Sequence, residues 1–141
     1  MATHDPDCIF CKILANELPS SRVYEDEHCL AFLDIGPLQP GHTLVIPKEH
    51  YEFLTDMPDA SMAALGNALP RVARAVMAAT GAEGFNTFQT NGACSGQMVP
   101  HVHFHVIPRR PGDGLGFRWK PFSYGEGEMD TWREKISAAM A

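Results

Sequence analysis

Three histidines alternate with apolar residues in this 141-residue chain, at His101, His103 and His105. Side chains two residues apart on an extended strand point the same way. The pattern therefore predicts three imidazoles on one face of a strand, about 7 Å apart, with the apolar residues between them facing a core. Imidazole titrates near neutral pH, and its neutral form offers a lone pair to a metal ion or to an electrophile. The spacing thus predicts a strand with one reactive face.

The residues just before the histidines help to distinguish a phosphate site from a metal site. His-x-His on a strand is one way to bind zinc, so metal binding, chemistry on phosphate and coincidence are all open on the histidines alone. Gly96 allows backbone N–H groups to approach an anion closely, and the Gln97 amide adds a neutral donor. Donors that converge beside a histidine favour a phosphate over a metal cation.

The composition argues against several classes of protein. With a net charge of −6, the surface as a whole does not attract nucleic acid backbones. No apolar run approaches the length that spans a bilayer, and the first residues lack the basic and apolar runs of a secretory signal. We therefore expect a cytoplasmic protein that acts on neither nucleic acid nor membrane. Arg109 and Arg110, at the end of the histidine strand, are either a local anion site or solvated surface charges.

Apolar periodicity predicts an α+β fold that combines a sheet with one long helix. Short extended segments with short connections favour an antiparallel sheet. The long helix is predicted from about Pro58 to Ala79, ended by Gly81 and bent or interrupted at Pro70. A short C-terminal helix is predicted over 129–140. The predicted strands are 22–26, 29–34, 42–47, 85–89 and the histidine segment.

Four segments of the chain together resemble the histidine triad (HIT) family of nucleotide hydrolases and nucleotidyl transferases. The longest has the pattern Gly-Gln-x-Val-x-His-x-His-x-His, with apolar residues between the histidines. The four segments are 8–13, 31–35, 41–48 and 96–105. The resemblance implies a HIT-like fold, with an antiparallel sheet of about five strands in a single domain over 1–141. The core of this domain is expected over 8–110 and an irregular tail over 111–141.

The family resemblance implies a covalent nucleotidyl-histidine intermediate. His103 is expected to attack the α-phosphorus of a nucleoside 5′-monophosphate derivative, and a neutral imidazole needs no separate base for this step. His42 and His105 are expected to contact the non-bridging phosphate oxygens. His101 is expected to orient His103 through its backbone carbonyl, and Gln97 to contact the phosphate or the leaving-group atom. The favoured substrates are AMP or GMP derivatives, such as phosphoramidates and other adenylated compounds.

The same resemblance assigns the residues of a nucleotide pocket. Asp34 is expected to accept hydrogen bonds from two ribose hydroxyls, and Asn91 is either a phosphate contact or a turn residue. Met98 stands where many relatives carry Ser or Thr, so only its backbone N–H can contact the phosphate. Apolar walls bind any base face, so no strong base preference is predicted. The residues expected to sandwich the base are Ile9, Phe10, Phe32, Ile35 and Leu44.

Two cysteines near the N-terminus form a C-x-x-C pair, Cys8 and Cys11, which alone indicates either a metal half-site or a redox pair. The family resemblance adds His50 and His101, because some relatives hold zinc with two cysteines and two histidines. Four such ligands make a closed tetrahedral zinc site that stabilises a fold, and no catalytic metal is expected. The alternative is a pair of reduced thiols with a capping histidine.

Other functions stay open on the sequence alone. The chain could instead be a dinucleoside polyphosphate hydrolase, or a nucleotide-binding or zinc-stabilised interaction protein without turnover. A third alternative is a thiol redox protein that uses Cys8 and Cys11. The family resemblance also implies a homodimer, in which the tail after Arg110 contacts either the substrate or the partner chain.

Overall fold

The computed structural model describes residues 4–116 and 119–140, and its centre is an antiparallel sheet of five strands. The strands are β1 (Arg22–Glu25), β2 (Cys29–Leu33), β3 (Thr43–Pro47), β4 (Gly84–Gln89) and β5 (Phe104–Arg109). Their order across the sheet is β1-β2-β3-β5-β4. The α-helices within the described residues are α1 (Ile9–Leu14), α2 (Asp59–Thr80) and α3 (Glu128–Ala139). The predicted α+β class, the antiparallel sheet and both predicted helices are confirmed, whereas α1 is not predicted by the sequence pattern.

The turn between β1 and β2 contains neither glycine nor asparagine, because an aspartate side chain organises it. Asp26 Oδ1 accepts hydrogen bonds from the backbone N–H groups of His28 (2.8 Å) and Cys29 (2.7 Å). In such a turn a carboxylate takes the place of a backbone carbonyl as the acceptor. The hairpin predicted from these two strands is confirmed.

The central strands β2 and β3 are buried on both faces, which explains their continuous apolar sequence. On one face, Ala31 and Val45 pack against the apolar stripe of α2. On the opposite face, Phe32 and Leu44 pack against Phe10 of α1. Because α1 is only six residues long, it covers only part of that face, and Phe88 of β4 is 37% exposed.

α2 continues through Pro70, so the predicted interruption does not occur. Proline removes one N–H donor and crowds the carbonyl four residues earlier, which belongs to Gly66. Both residues are exposed, so water can solvate the Gly66 carbonyl, and glycine adds no side chain to the crowded site. The predicted apolar stripe of this helix does face the core. Gly81 ends the helix with a left-handed φ of 64°.

β5 begins at Phe104, so the predicted histidine strand starts three residues too early. The backbone N–H of Val102 donates to the carbonyl of Tyr51 (2.8 Å), and that of His101 donates to the carbonyl of Val99 (2.8 Å). These bonds replace ladder bonds to β3 in this part of the chain. The first two histidines of the triad therefore precede the strand, and His105 lies on it.

Arg109 and Arg110 anchor the chain that follows β5 to the rest of the fold. Arg109 pairs with both carboxylate oxygens of Asp113, at 2.7 and 3.1 Å. Arg110 donates to the carbonyls of Thr80 and Gly81 at the C-terminal end of α2, where the helix dipole favours a positive charge. Both guanidinium groups are used within the fold, which weighs against a local anion site at these residues.

α3 matches the predicted C-terminal helix to within one residue at each end, and all of its residues are exposed. Met129, Trp132 and Ile136 recur at intervals of three and four residues, which places them on one face of the helix.

Within the described parts of the chain, the helices lack the combination of length and apolar character that a bilayer crossing requires.

Replacing Pro70 tests whether the Gly66 carbonyl lacks its helical partner. We expect Pro70→Ala to raise the free energy of unfolding by about 1–3 kcal/mol in urea titrations, because alanine restores the N–H donor and is the better helix former. Asn67→Ala, at an exposed position of the same helix, changes helix propensity alone and should add only about 0.5 kcal/mol. Equal gains for the two variants would contradict this account of Pro70.

Candidate active site

A row of side chains crosses the face of the sheet that α1 partly covers, and it includes the histidine of β5. Phe32 of β2 pairs with Leu44 of β3, and Leu44 pairs with His105 of β5. His105 in turn pairs with Phe88 of β4. Direct cross-strand partners share one face of a sheet. The His105 ring stacks on Phe88 with 4.4 Å between ring centroids, so the sheet fixes the plane of this imidazole.

His103 immediately precedes β5 and is only 6% exposed. Its Nδ1 lies 2.7 Å from the backbone carbonyl oxygen of His101. A carbonyl can only accept, so Nδ1 carries the proton of the neutral ring and Nε2 carries the lone pair. Within the described residues, Nε2 has no hydrogen-bond partner. The His103 and His105 ring centroids are 5.0 Å apart, closer than the spacing predicted for an extended strand.

His42 and His105 share a hydrogen bond whose direction is set by the backbone. The N–H of Leu38 donates to His42 Nδ1 (3.1 Å), so the proton of the neutral His42 ring is on Nε2. His42 Nε2 lies 2.8 Å from His105 Nδ1 and donates to it. The proton of the neutral His105 ring is consequently on Nε2, where it is available to an acceptor outside the pair.

Burial keeps these three imidazoles neutral. It lowers the pKa of His42 and of His103 below the ordinary value of about 6.5. Burial, together with the neighbouring imidazoles, lowers the pKa of His105 to about 4. At pH 7 the site therefore combines a neutral ring with a free lone pair, at His103, and a neutral ring that donates an N–H, at His105.

Asp34 lies directly after β2, beside the histidine pair. Its Oδ1 accepts from the backbone N–H of Gly36 (2.8 Å), and its Oδ2 lies 3.6 Å from His42 Nε2. The backbone N–H of Asp34 also donates to the carbonyl of His42 (2.9 Å). The carboxylate is thus held at the edge of the site, with acceptor capacity left for a ligand hydroxyl.

Two amide side chains fasten the loop between β4 and β5 to the segment before α2. Gln97 accepts from the backbone N–H of Gly92 (2.7 Å) and donates to the carbonyl of Glu52 (2.8 Å). Asn91 accepts from the backbone N–H of Leu54 (2.7 Å). Both amides therefore serve to position this loop, and one N–H of Gln97 is left for other contacts.

The other predicted nucleotide contacts differ in exposure. Phe10 packs edge-on against Phe32, with 5.4 Å between ring centroids, and against His103, with 5.1 Å. This packing places an apolar wall beside the histidine ring. Among the residues predicted to contact the nucleotide, Phe10, Phe32 and Leu44 are buried, whereas Ile9, Ile35 and Met98 are exposed.

A second group of side chains brings together Cys8, Cys11, His50 and His101, whose ligand atoms all lie within 4.8 Å of one another. The two Nδ1 atoms are 3.2 Å apart, and the measured S···N distances are 3.4 to 3.7 Å. Bonds of about 2.05 Å to nitrogen and 2.3 Å to sulfur in a tetrahedron require about 3.3 Å and 3.6 Å. The donor set and its spacing therefore fit a zinc ion.

The surroundings of this cluster orient its ligands. His101 Nε2 donates to the carbonyl of Pro47 (2.9 Å), so its Nδ1 lone pair points toward the cysteines. Asp5 lies 3.8 Å from His50 Nε2. Burial raises the pKa of the Cys11 thiol to about 11, so without a metal this thiol is not the thiolate that disulfide exchange requires. This disfavours Cys11 as the attacking thiol of a redox pair.

Asp34, His42 and His105 form another group whose donor atoms lie within 4.8 Å of one another, but its proton positions do not suit a metal ion. The Leu38 N–H occupies His42 Nδ1 and leaves the proton on Nε2, which is the atom that faces the other two residues. A metal ion at this point would require the lone pair that this proton occupies.

Several contacts around the histidine site and around the cysteine–histidine cluster are not predictable from sequence patterns. Leu38 and Pro47 act through backbone groups, which almost any residue type can supply. Phe88 belongs to a predicted strand, but its stacking on His105 depends on the register of β4 against β5. Asp5 has no motif around it.

The sequence profile of the HIT domain matches residues 15–112. The chain is similar to the adenosine 5′-monophosphoramidase hnt1 of Schizosaccharomyces pombe, with 39% identity over 132 residues, 93% of this chain and 96% of the relative. It is also similar to the adenylylsulfatase HINT3 of Arabidopsis thaliana, with 44% identity over 114 residues, 81% of this chain and 58% of the relative.

Solved structures agree with the sequence comparison. A HIT family protein from Bacillus subtilis superimposes with a TM-score of 0.91 and 43% identity, covering 96% of this chain and 98% of that chain. A zinc-bound histidine triad family protein from Mycobacterium smegmatis has a TM-score of 0.74 and 38% identity, covering 94% of this chain and 97% of that chain. The profile match spans most of the sequence, and the chain therefore belongs to the HIT domain family.

Proposed function

We propose that this chain is a nucleotide hydrolase or nucleotidyl transferase that cleaves at the α-phosphate of a purine nucleoside 5′-monophosphate derivative. The observation that carries the proposal is the free Nε2 of His103, a neutral nucleophile beside the N–H of His105. The relatives named adenosine 5′-monophosphoramidase and adenylylsulfatase both support a hydrolase that acts on AMP derivatives.

In this proposal His103 attacks the α-phosphorus and forms a nucleotidyl-histidine intermediate, which water then hydrolyses. His105 Nε2–H donates to a non-bridging oxygen, where negative charge develops. His42 contributes by orienting His105 and through the electrostatics of its N–H. Asp34 accepts from the ribose hydroxyls, and the wall that includes Phe10 receives the base. Gln97 keeps one N–H for the phosphate while it holds the loop.

Replacing the nucleophile tests the proposal directly. We expect His103→Asn to lower the rate of AMP release from adenosine 5′-phosphosulfate or an adenosine 5′-phosphoramidate by at least about 10³-fold, because an amide cannot attack phosphorus. Asparagine can still donate to the His101 carbonyl, so the fold should be retained. Rates are measured by chromatography of AMP, and a sample of the parent quenched in alkaline denaturant should gain the mass of one adenylyl group.

His28→Asn is the matched control, because His28 lies on the exposed turn between β1 and β2, away from the site. It should keep the parent rate. Equal rates for His103→Asn and the parent would rule out the proposed nucleophile. Tight binding of AMP by a parent protein that turns over none of these substrates would identify the chain as a nucleotide-binding protein without catalysis.

We also propose that Cys8, Cys11, His50 and His101 hold a structural zinc ion. The close approach of the four donor atoms, all within 4.8 Å of one another, and the zinc-bound relative from Mycobacterium smegmatis support this. When bound, zinc would cross-link α1 to the segments that carry the two histidines and would stabilise the fold. The cluster uses the side chain of His101, while its carbonyl orients His103.

Metal analysis of the purified protein should find about one zinc ion per chain. Cys11→Ser should lose the metal and lower the thermal unfolding midpoint by about 5–10 °C, since binding free energy adds to folding free energy. Cys94→Ser removes an exposed cysteine outside the cluster and should change neither quantity. The zinc assignment would be overturned if the parent protein contained no zinc and all of its cysteine thiols reacted freely with a thiol reagent.

Finally, we propose that the chain forms a homodimer in which a second copy covers the apolar face of α3. Met129, Trp132 and Ile136 are 64%, 45% and 61% exposed within one chain. A contiguous and exposed apolar face on a helix is typical of an interaction surface.

Sedimentation velocity should give the mass of two chains for the parent. Trp132→Glu should shift the protein to the mass of one chain, because it introduces a charge at the centre of the apolar face. Ala138→Glu introduces the same charge on the opposite face of α3 and should remain dimeric. A monomeric parent, or a dimer that is insensitive to Trp132→Glu, would refute this use of α3.

A further inference from the structure

Three of the four residues proposed to hold zinc are fixed by backbone groups. The backbone N–H of Cys11 donates to Cys8 Sγ at 3.5 Å, and the backbone N–H of Asp5 donates to Cys11 Sγ at 3.3 Å. The Nε2–H of His101 donates to the carbonyl of Pro47 at 2.9 Å. Outer contacts of this kind orient a ligand and tune its affinity for the metal. Because they come from peptide groups, nearly every residue type could supply them.

His50 differs from the other three, because its outer contact is a carboxylate. Its Nδ1 faces the cluster, 3.4 Å from Cys11 Sγ and 3.2 Å from His101 Nδ1. The metal-binding form of the ring therefore carries its proton on Nε2. Asp5 Oδ2 lies 3.8 Å from this Nε2, which is an electrostatic contact beyond hydrogen-bond length. Among residues 4–116 and 119–140, Asp5 is the one polar side chain outside the cluster that contacts a ligand.

The carboxylate of Asp5 is itself held in place at the start of α1. Its Oδ1 accepts from the backbone N–H of Asp7 at 2.9 Å, and the Asp5 carbonyl accepts from the backbone N–H of Cys8 at 3.1 Å. Cys8 is the N-cap of α1. With Oδ1 engaged by a backbone group, Oδ2 is the oxygen that faces His50. Since the side chain is short and already bonded, little conformational entropy is lost when it stays beside the ring.

His50 is also the ligand nearest to solvent. It is half-buried, whereas Cys8, Cys11 and His101 are buried. Before zinc can leave a four-coordinate site, water or a chelator must reach the cluster by some path. An incoming ligand meets the ring of His50 first, and the Asp5 carboxylate lies on the same side of the cluster.

We propose that zinc enters and leaves at the His50 side of the cluster and that Asp5 controls how fast it is released. The inference rests on the proposed zinc site and adds the group that regulates its retention. When Nδ1 binds a dication, the imidazole is polarised and its Nε2–H becomes more positive. A carboxylate 3.8 Å away then stabilises the metal-bound ring more than the metal-free ring. Asp5 is thus a positioning residue that acts through His50.

Zinc release from the purified full-length protein tests this role. The zinc-loaded protein is mixed with an excess of the colorimetric chelator 4-(2-pyridylazo)resorcinol, and both the release rate and the zinc affinity are measured. We expect Asp5→Asn to release zinc about tenfold faster than the parent and to bind it about tenfold more weakly. Asp5→Glu keeps a carboxylate at this position and should restore most of the retention that Asp5→Asn loses.

Asp7→Asn is the matched control. It removes the same charge two residues away, and its backbone N–H can still donate to Asp5 Oδ1. In the described part of the chain, the Asp7 side chain forms neither a hydrogen bond nor an ion pair, so this variant should release zinc at the parent rate. Parent-like release from Asp5→Asn, or equally fast release from Asp7→Asn, would overturn the inference and leave the zinc site intact.

Cobalt substitution distinguishes a lost outer contact from a lost ligand. Co²⁺ bound tetrahedrally by two thiolates and two imidazoles has visible and near-ultraviolet bands that report its ligands. The spectra of the cobalt-loaded parent and Asp5→Asn should coincide, because all four ligands remain. A changed ligand spectrum in Asp5→Asn would contradict a role that acts only through the outer contact.

The salt dependence of release gives a second measurement on the parent itself. The Asp5 side chain is 39% exposed, so raising sodium chloride from about 0.05 M to about 0.5 M screens its charge and should speed zinc release. Asp5→Asn lacks the charge and should show a smaller salt effect. Equal salt effects in the two proteins would overturn the inference. Parent protein that binds no zinc would reject the zinc site itself, and the inference with it.

Discussion

The chemistry proposed for this protein depends on the hydrogen bond from His103 Nδ1–H to the backbone carbonyl of His101. At 2.7 Å, this bond decides which nitrogen of a buried ring carries the proton and which carries the lone pair. Without it the ring could turn or change tautomer, and Nε2 would no longer carry the lone pair that the proposed attack on phosphorus requires. The carbonyl is itself fixed, because the imidazole of the same residue donates to the Pro47 carbonyl and directs its other nitrogen to two cysteines.

Burial serves both the fold and the site. β2 and β3 are apolar on both faces because α2 covers one face and α1 covers part of the other. The same lack of water around His103 and His105 lowers their pKa, since the charged form of a ring loses more hydration than the neutral form. A more open sheet would be less stable and would also leave the imidazoles partly protonated at neutral pH.

The sequence patterns predicted those features that arise from local periodicity. The continuous apolar runs of β2 and β3, the stripe of α2 and the glycine at its end are short-range properties, and the structure agrees with them. The predicted start of β5 was wrong because the backbone N–H of Val102 donates a hydrogen bond to the carbonyl of Tyr51. Tyr51 lies about 50 residues earlier in the chain, so no local pattern reveals this contact. α1 was missed because six residues carry little periodicity, although Cys8, whose Sγ accepts from the Cys11 N–H at 3.5 Å, is its N-cap.

The site could be predicted as a set of residue types but not as a set of proton positions. Histidine spacing predicted that the rings of His103 and His105 lie side by side. The family resemblance, and not the spacing, predicted His42 and His50, and C-x-x-C alone left a metal half-site and a redox pair open. The tautomers come instead from the carbonyls of His101 and Pro47 and from the N–H of Leu38. Because of these three backbone groups, chemically identical imidazoles carry their proton and their lone pair on different ring nitrogens. His103 is left with a free lone pair, His101 with a lone pair that faces sulfur, and His42 with a proton that it passes toward His105 as a hydrogen bond. The reactivity of a histidine cluster is therefore a property of the backbone around it, and two chains with the same histidine spacing can differ in chemistry when a single peptide group differs in orientation.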